Sequence, residues 1–303
     1  RLPDVSELKS IAFTTVNPGI NPTYGWGWIN QQSDPFMPSS FDLKMDPFKR
    51  RVTGKTENIA ELTLNLRGFE GKGEATISLD GQTLSLARTN EEETFVRSGG
   101  RWRQGSNPDW QKSPDRNGGF KDVFRRKFML VYGTTGTDDE NAWARNKARF
   151  DAESFWYRGN GSADVVSDKT YLAMGAPIDR NAVLYGNRDT NAALAKLVDT
   201  DKFDLSRERM RLGKDQYDEP LGVLCALPRK GSTRSTIGIV GGTSVVGCRL
   251  CDRAPLFVSG AGLPDLIAYR PESLVVGSKG IAVAGFFGND WGVETGVWAK
   301  NER

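Results

Sequence analysis

The sequence predicts a two-part chain: a β-rich, sandwich-like module over residues 1–117, then a mostly parallel α/β layer domain of Rossmann or flavodoxin type over residues 118–303. Three observations point there. Residues 128–136 (FMLVYGTTG) and 181–187 (NAVLYGN) are each a short apolar run closing on Tyr-Gly and followed by a helix-like segment, as buried parallel strands read. Ahead of residue 118, apolar residues instead alternate with polar ones between short turn signals. The 303 residues can bury a sizeable core and suit about two domains.

In the first part, residues 11–16 form an extended run ended by the turn signal Asn17-Pro18-Gly19. Tyr24-Gly25-Trp26-Gly27-Trp28 alternates ring and glycine, so a single strand there would put all three rings on one face. Such a row either covers a sandwich core or stacks on sugar rings, and Trp26 and Trp28 are the candidate carbohydrate-stacking residues. Residues 51–53 and 62–66 continue the set, Leu62, Leu64 and Leu66 alternating with Thr63 and Asn65. Residues 73–79 and 83–87 flank Asp80-Gly81, the signature of a type I′ hairpin. Residues 89–117 are charged, contain Pro108 and Pro114 and hold no period, which predicts a connecting segment pinned to a surface by Trp102 and Trp110.

In the second part, Thr137-Asp138-Asp139-Glu140 fits a capping box, and three acids in one turn suit the positive end of a helix. Ala144, Ala148, Ala152 and Phe155 then form a narrow stripe that can lie flat on a sheet, and Gly159 and Gly161 stop the helix. After the second Tyr-Gly, Asp189 or Thr190 can cap a shorter helix whose buried side is Leu194, Leu197 and Val198. Residues 163–166, 182–185, 221–227, 236–240, 266–269 and 281–287 read as further strands, and 201–219 as a charged helical or looped excursion.

The chemistry the chain lacks is informative. It contains no histidine, so it cannot complete a Ser-His-Asp or Cys-His arrangement, a histidine metal site or a histidine proton shuttle. The nearest approach to a nucleophile elbow, Gly242-Thr243-Ser244-Val245-Val246, misses the second glycine. Cys248 and Cys251 form a C-x-x-C with only Cys225 besides, too few ligands for a zinc site, so no metal and no cofactor are expected; a disulfide using two of the three is the expectation for an exported protein. A formal charge of +3 gives no field that would draw the chain to nucleic acid, and no apolar run approaches the roughly 20 residues of a spanning helix, so neither nucleic acid nor membrane insertion is expected. The first twenty residues hold no signal peptide, and an opening Arg1 suits a processed product or an excised part.

Open α/β sheets collect ligands beyond the carboxyl ends of their strands, at the point where strand order reverses. The loops after the two Tyr-Gly runs should share that edge, making Thr134, Thr135, Asn187 and Asp189 the candidate ligand-binding residues. Each glycine equally serves a tight strand-to-helix turn, and no G-x-G-x-x-G or Walker pattern follows either strand. A self-sufficient enzyme would have to work there with carboxylates such as Asp189 or Asp265.

A series of short motifs appears in order: FTTVNPG (13–19), GKTEN (54–58), GFK (119–121), VYGT (131–134), DAE (151–153), YRGNG (157–161), YGN (185–187), PD (264–265) and AGFF (284–287). Together they resemble the carboxyl-terminal region of large bacterial prolyl-oligopeptidase-like serine hydrolases of the α/β-hydrolase superfamily, over nearly the whole chain. The resemblance implies an accessory region of a secreted esterase or peptidase whose catalytic module, with its elbow and histidine, lies upstream. No catalytic residue of that family has a counterpart here. The implied partner is that upstream module, with a peptide or polysaccharide as substrate, and the implied location is periplasmic or extracellular.

Overall fold

The structure is a computed structural model that describes residues 8–301. It is a mixed α/β, sheet-rich chain with both parallel and antiparallel pairing, and it divides into two compact units, Arg1–Asn117 and Gly118–Arg303.

Among the described residues the first unit has ten strands: β1 (Ser10–Thr15), β2 (Thr23–Tyr24), β3 (Gly27–Gln32), β4 (Ser39–Asp46), β5 (Arg51–Glu57), β6 (Ile59–Asn65), β7 (Ala75–Leu79), β8 (Gln82–Leu86), β9 (Glu92–Ser98) and β10 (Arg101–Gln104). They form two five-stranded sheets, β1-β4-β5-β7-β8 and β10-β9-β6-β3-β2. Period-two alternation places Leu43, Val52, Ile77 and Leu79 of the first sheet and Ile29, Leu62, Leu64 and Phe95 of the second in one apolar cluster. Asp80 and Gly81 both have positive φ, 53° and 84°, as a type I′ hairpin between β7 and β8 requires.

Two expectations fail in this unit. Tyr24 to Trp28 is not one strand: Gly25, at φ 60°, turns the chain, and β2 and β3 pair as a hairpin with Tyr24 opposite Gly27 and Thr23 opposite Trp28. The three rings therefore do not share a face. The supposed connecting segment contains β9 and β10, joined through Gly99-Gly100 at φ 56° and 78°, with Phe95, Val96 and Trp102 buried. In β10 the exposed Arg101 and Arg103 flank the buried Trp102, but in β9 Glu93 is itself buried, so charge there does not mark the outward face and the alternation does not register. Trp102 is pinned through its indole N–H to Asp80 Oδ2 (2.9 Å), whereas Trp110 is exposed.

The second unit is organised on β11 (Phe128–Tyr132), α1 (Asp138–Gly159), β12 (Asp164–Ser167), α2 (Asp168–Ala173), β13 (Asn181–Tyr185) and α3 (Leu194–Leu197). There follow β14 (Phe203–Leu205), β15 (Met210–Leu212), β16 (Asp215–Tyr217), β17 (Gly222–Pro228), β18 (Thr236–Gly242), α4 (Val245–Leu250), β19 (Leu266–Tyr269), α5 (Ser273–Val276), β20 (Ile281–Phe286) and β21 (Val297–Lys300). The large sheet runs β12-β11-β13-β18-β17-β19-β20-β21. Its faces are both apolar. Met129, Val131, Ala182, Leu184, Ile237 and Ile239 enter one cluster, and Leu130, Val183, Tyr185, Leu224 and Val240 enter another that α1 covers with Trp143, Ala144 and Ala148. Burial on both sides is why these strands read as continuous apolar runs.

The sheet is not mostly parallel as expected. β12, β11, β13 and β18 are parallel, but every pairing from β18 through β17, β19 and β20 to β21 is antiparallel. The link 229–235 between β17 and β18 is too short for a crossover, so those strands must run in opposite directions. Residues 201–219 form a three-stranded antiparallel sheet, β14-β15-β16, rather than a helix or loop. Phe203, Leu205, Met210 and Leu212 are buried there, at two-residue spacing that the intervening charged residues disguise. α3 is a single turn without a side-chain cap, so neither Asp189 nor Thr190 caps it, although Leu194, Leu197 and Val198 are buried as expected.

Candidate functional site

β11 has β12 on one side and β13 on the other. The chain leaves β11, returns on one flank as β12, then crosses to the opposite flank as β13, so the strand order reverses beside β11. The segments that follow β11 and β13 meet at this edge, and they carry Thr134, Thr135, Asn187 and Asp189.

Thr190 explains why Tyr-Gly ends both strands. A Cβ at Gly133 would lie 2.1 Å from the Thr190 carbonyl oxygen, and one at Gly186, whose φ is 119°, would lie 2.4 Å from its hydroxyl. Thr190 is wedged between the two strand ends, and only glycine leaves room for it. Asn191 secures the same seam by donating to the Val131 and Tyr185 carbonyls at 3.0 and 3.1 Å.

Each candidate side chain is already bonded within the chain. Thr134 Oγ1 donates to Asp168 Oδ1 at 2.6 Å; Asp168 is fully buried and also accepts from the Lys169 and Ala192 amides. Thr135 Oγ1 donates to the Asp189 carbonyl (3.2 Å). Asn187 Nδ2 donates to the Gly242 carbonyl (2.9 Å) while its Oδ1 accepts from the Asp189 amide (3.0 Å). Asp189 Oδ2 accepts from the Arg207 amide (2.7 Å).

The start of α1 is closed in the same way. Thr137 Oγ1 accepts from the Glu140 amide and Glu140 Oε2 accepts from the Thr137 amide (2.7 Å), completing the capping box read from the sequence. Arg207 donates Nε and a terminal nitrogen to the two Glu140 oxygens, both at 2.9 Å. That fork holds the Glu140 carboxyl below its usual value, against partial burial and with help from the Thr137 amide. With Asp138 and Asp139 beside it, this helix end repels rather than holds an anion.

Behind the edge lies a buried ionic group. Lys147 Nζ is 2.7 Å from Asp151 Oδ1, both side chains being 3% exposed, and the Tyr185 hydroxyl donates to Asp151 Oδ2 at 2.9 Å. Burial raises the Asp151 carboxyl above its ordinary range despite Lys147, and it pushes the Tyr185 hydroxyl well up, the Asp151 charge adding to the effect. Sequence reasoning missed Asp168, Asn191, Arg207 and this group. The i, i+4 spacing of Lys147 and Asp151 was the only available signal for any of them.

The remaining candidates lie elsewhere. Asp265 precedes β19, at the edge opposite Asp189, and is fully buried, accepting from the Gly119 and Phe287 amides. The two carboxylates cannot act on one substrate. Ser244, in the elbow-like stretch, caps α4 by accepting from the Gly247 amide (3.0 Å). All three cysteines are free and buried, so the expected disulfide is not formed. Burial pushes the Cys251 thiol up to about 12, and those of Cys225 and Cys248 up as well. Trp26 is 2% exposed and donates its indole N–H to the Leu8 carbonyl (2.8 Å), which removes it as a sugar-stacking surface; Trp28 is half-buried. Among the described residues no cluster of His, Cys, Asp and Glu could hold a metal ion, and no helix is long and apolar enough to cross a membrane.

No protein-family model matches the chain, and no curated protein does.

Proposed function

We propose that this chain is a non-catalytic accessory region of a secreted serine hydrolase, an esterase or peptidase, packing on the catalytic α/β-hydrolase module of the same parent and shaping substrate access. In this reading the first unit is a β-sandwich-like module and the strands β12-β11-β13-β18 are the Rossmann- or flavodoxin-like layer of the second. The working place is periplasmic or extracellular.

One observation carries the reading. The hydroxyls, amide and carboxylate at the strand edge, the place where such a sheet would do its chemistry, are all consumed in bonds that hold the edge together. The chain has no histidine to activate a hydroxyl, and burial keeps its thiols protonated. Such a unit is suited to presenting surface rather than to turnover.

The test is an assay of the purified chain on chromogenic esters and aminopeptidase substrates. The expected result is no turnover above buffer. Turnover that follows the protein through successive purification steps would defeat the accessory reading in favour of a self-sufficient enzyme.

A further inference from the structure

The hairpin β14–β15 has a root and a tip held by different forces. At the root, Phe203 pairs with Leu212 and Leu205 with Met210, and all four side chains are buried in the core beneath the sheet. The tip, residues 206–209, closes on itself through the Ser206 amide and Arg209 carbonyl (2.9 Å). Toward the rest of the unit it makes polar contacts. The Arg207 amide donates to Asp189 Oδ2, after β13, and the Arg207 guanidinium forks onto Glu140, in the first turn after β11. At the neck, the Arg188 amide donates to the Leu205 carbonyl (3.0 Å) and its guanidinium to Asp204 Oδ2 (2.6 Å).

Arg207 thus bridges the two segments that flank the reversal of strand order. We infer that residues 206–209 are a latch across this edge, shut by the Arg207–Glu140–Asp189 contacts and able to lift while the hairpin root stays packed. Arg207 is 45% exposed, so water and salt reach the fork and weaken it. The root has no such weakness, because apolar burial does not depend on screening. Opening would free Asp189 Oδ2 and Glu140 Oε1 together, while Glu140 Oε2 keeps the Thr137 amide. This inference does not depend on the chain serving a hydrolase.

The test is amide hydrogen exchange on the whole chain, comparing the parent with Arg207→Ala and Arg207→Lys, and the parent at low and high salt. Arg207→Ala should speed exchange across residues 206–209, where the backbone amide of residue 207 donates across the edge to Asp189 Oδ2, by about tenfold, equivalent to about 1.4 kcal/mol, leaving the amides of Phe203, Leu205, Met210 and Leu212 as slow as in the parent. Lysine keeps the charge but not the fork, so Arg207→Lys should fall between the two. Raising salt should speed the same segment in the parent and not in Arg207→Ala. Exchange unchanged by both substitution and salt, or tip and root speeding together, would overturn the inference.

Discussion

Replacing Lys147 by methionine removes the ammonium 2.7 Å from Asp151 and leaves a carboxylate buried under α1 with the Tyr185 hydroxyl as its remaining partner. Breaking a buried pair in this way costs about 3–5 kcal/mol. An upper limit comes from protonation. Asp151 starts from an ordinary value of 3.8, so neutralising it at pH 7 costs about 4 kcal/mol at 1.36 kcal/mol per unit. The deficit at pH 7 should therefore be about 3–4 kcal/mol. Its pH dependence has a definite sign. The folded-state value of Asp151 is already raised by burial, and loss of Lys147 raises it further. The folded state then binds more protons than the unfolded one above 3.8, so its stability falls as pH rises and returns as pH drops. The deficit should shrink by up to about 1.4 kcal/mol per unit on acidification. Adding Asp151→Leu removes the stranded charge and should recover most of the loss, less about 1–3 kcal/mol for the Tyr185 hydroxyl left without an acceptor. Urea unfolding at pH 7 and pH 5, followed by tryptophan fluorescence, reads all of this. A Lys147→Met variant within about 1 kcal/mol of the parent at pH 7, or a deficit indifferent to pH, would refute the reasoning.

Three further outcomes are expected. Gly241→Ala places a Cβ 2.0 Å from the Gly186 carbonyl, a backbone contact that cannot swing away, and should destabilise the second unit by about 1–3 kcal/mol in urea; an unchanged midpoint would contradict the packing described. Trp26→Ala empties a buried site in the first unit and should cost about 3–5 kcal/mol there, whereas a parent-like unfolding curve would mean that the ring is not core. The thiols of Cys225, Cys248 and Cys251 should stay unmodified by a disulfide reagent at pH 8 until denaturant is added, then all react; a fast phase in the folded protein would show a thiolate that burial forbids.

What the sequence reveals follows from how local each determinant is. The β11–α1 junction is legible because its capping box spans four residues, and the Asp80-Gly81 hairpin because its turn dictates the dipeptide. The meeting of Thr134, Thr135, Asn187 and Asp189 at one edge follows from two parallel strands that end alike. Their occupation does not, because it depends on Asp168, Arg207 and the Gly242 carbonyl, which reach the edge from elements distant in sequence. The antiparallel half of the sheet was obscured because a doubly buried antiparallel strand such as β17 carries the same continuous apolar run as a parallel one. The small sheet β14-β15-β16 was hidden by strands of three residues, too short for alternation to register.

The proposal that this chain supports hydrolysis without performing it is tested most directly by exposing the folded protein to a fluorophosphonate probe of activated serines and weighing it intact. The proposal predicts an unchanged mass and an unlabelled Ser244, whose hydroxyl caps a helix in a chain without histidine. A stoichiometric adduct on any serine or threonine, lost on unfolding, would contradict it.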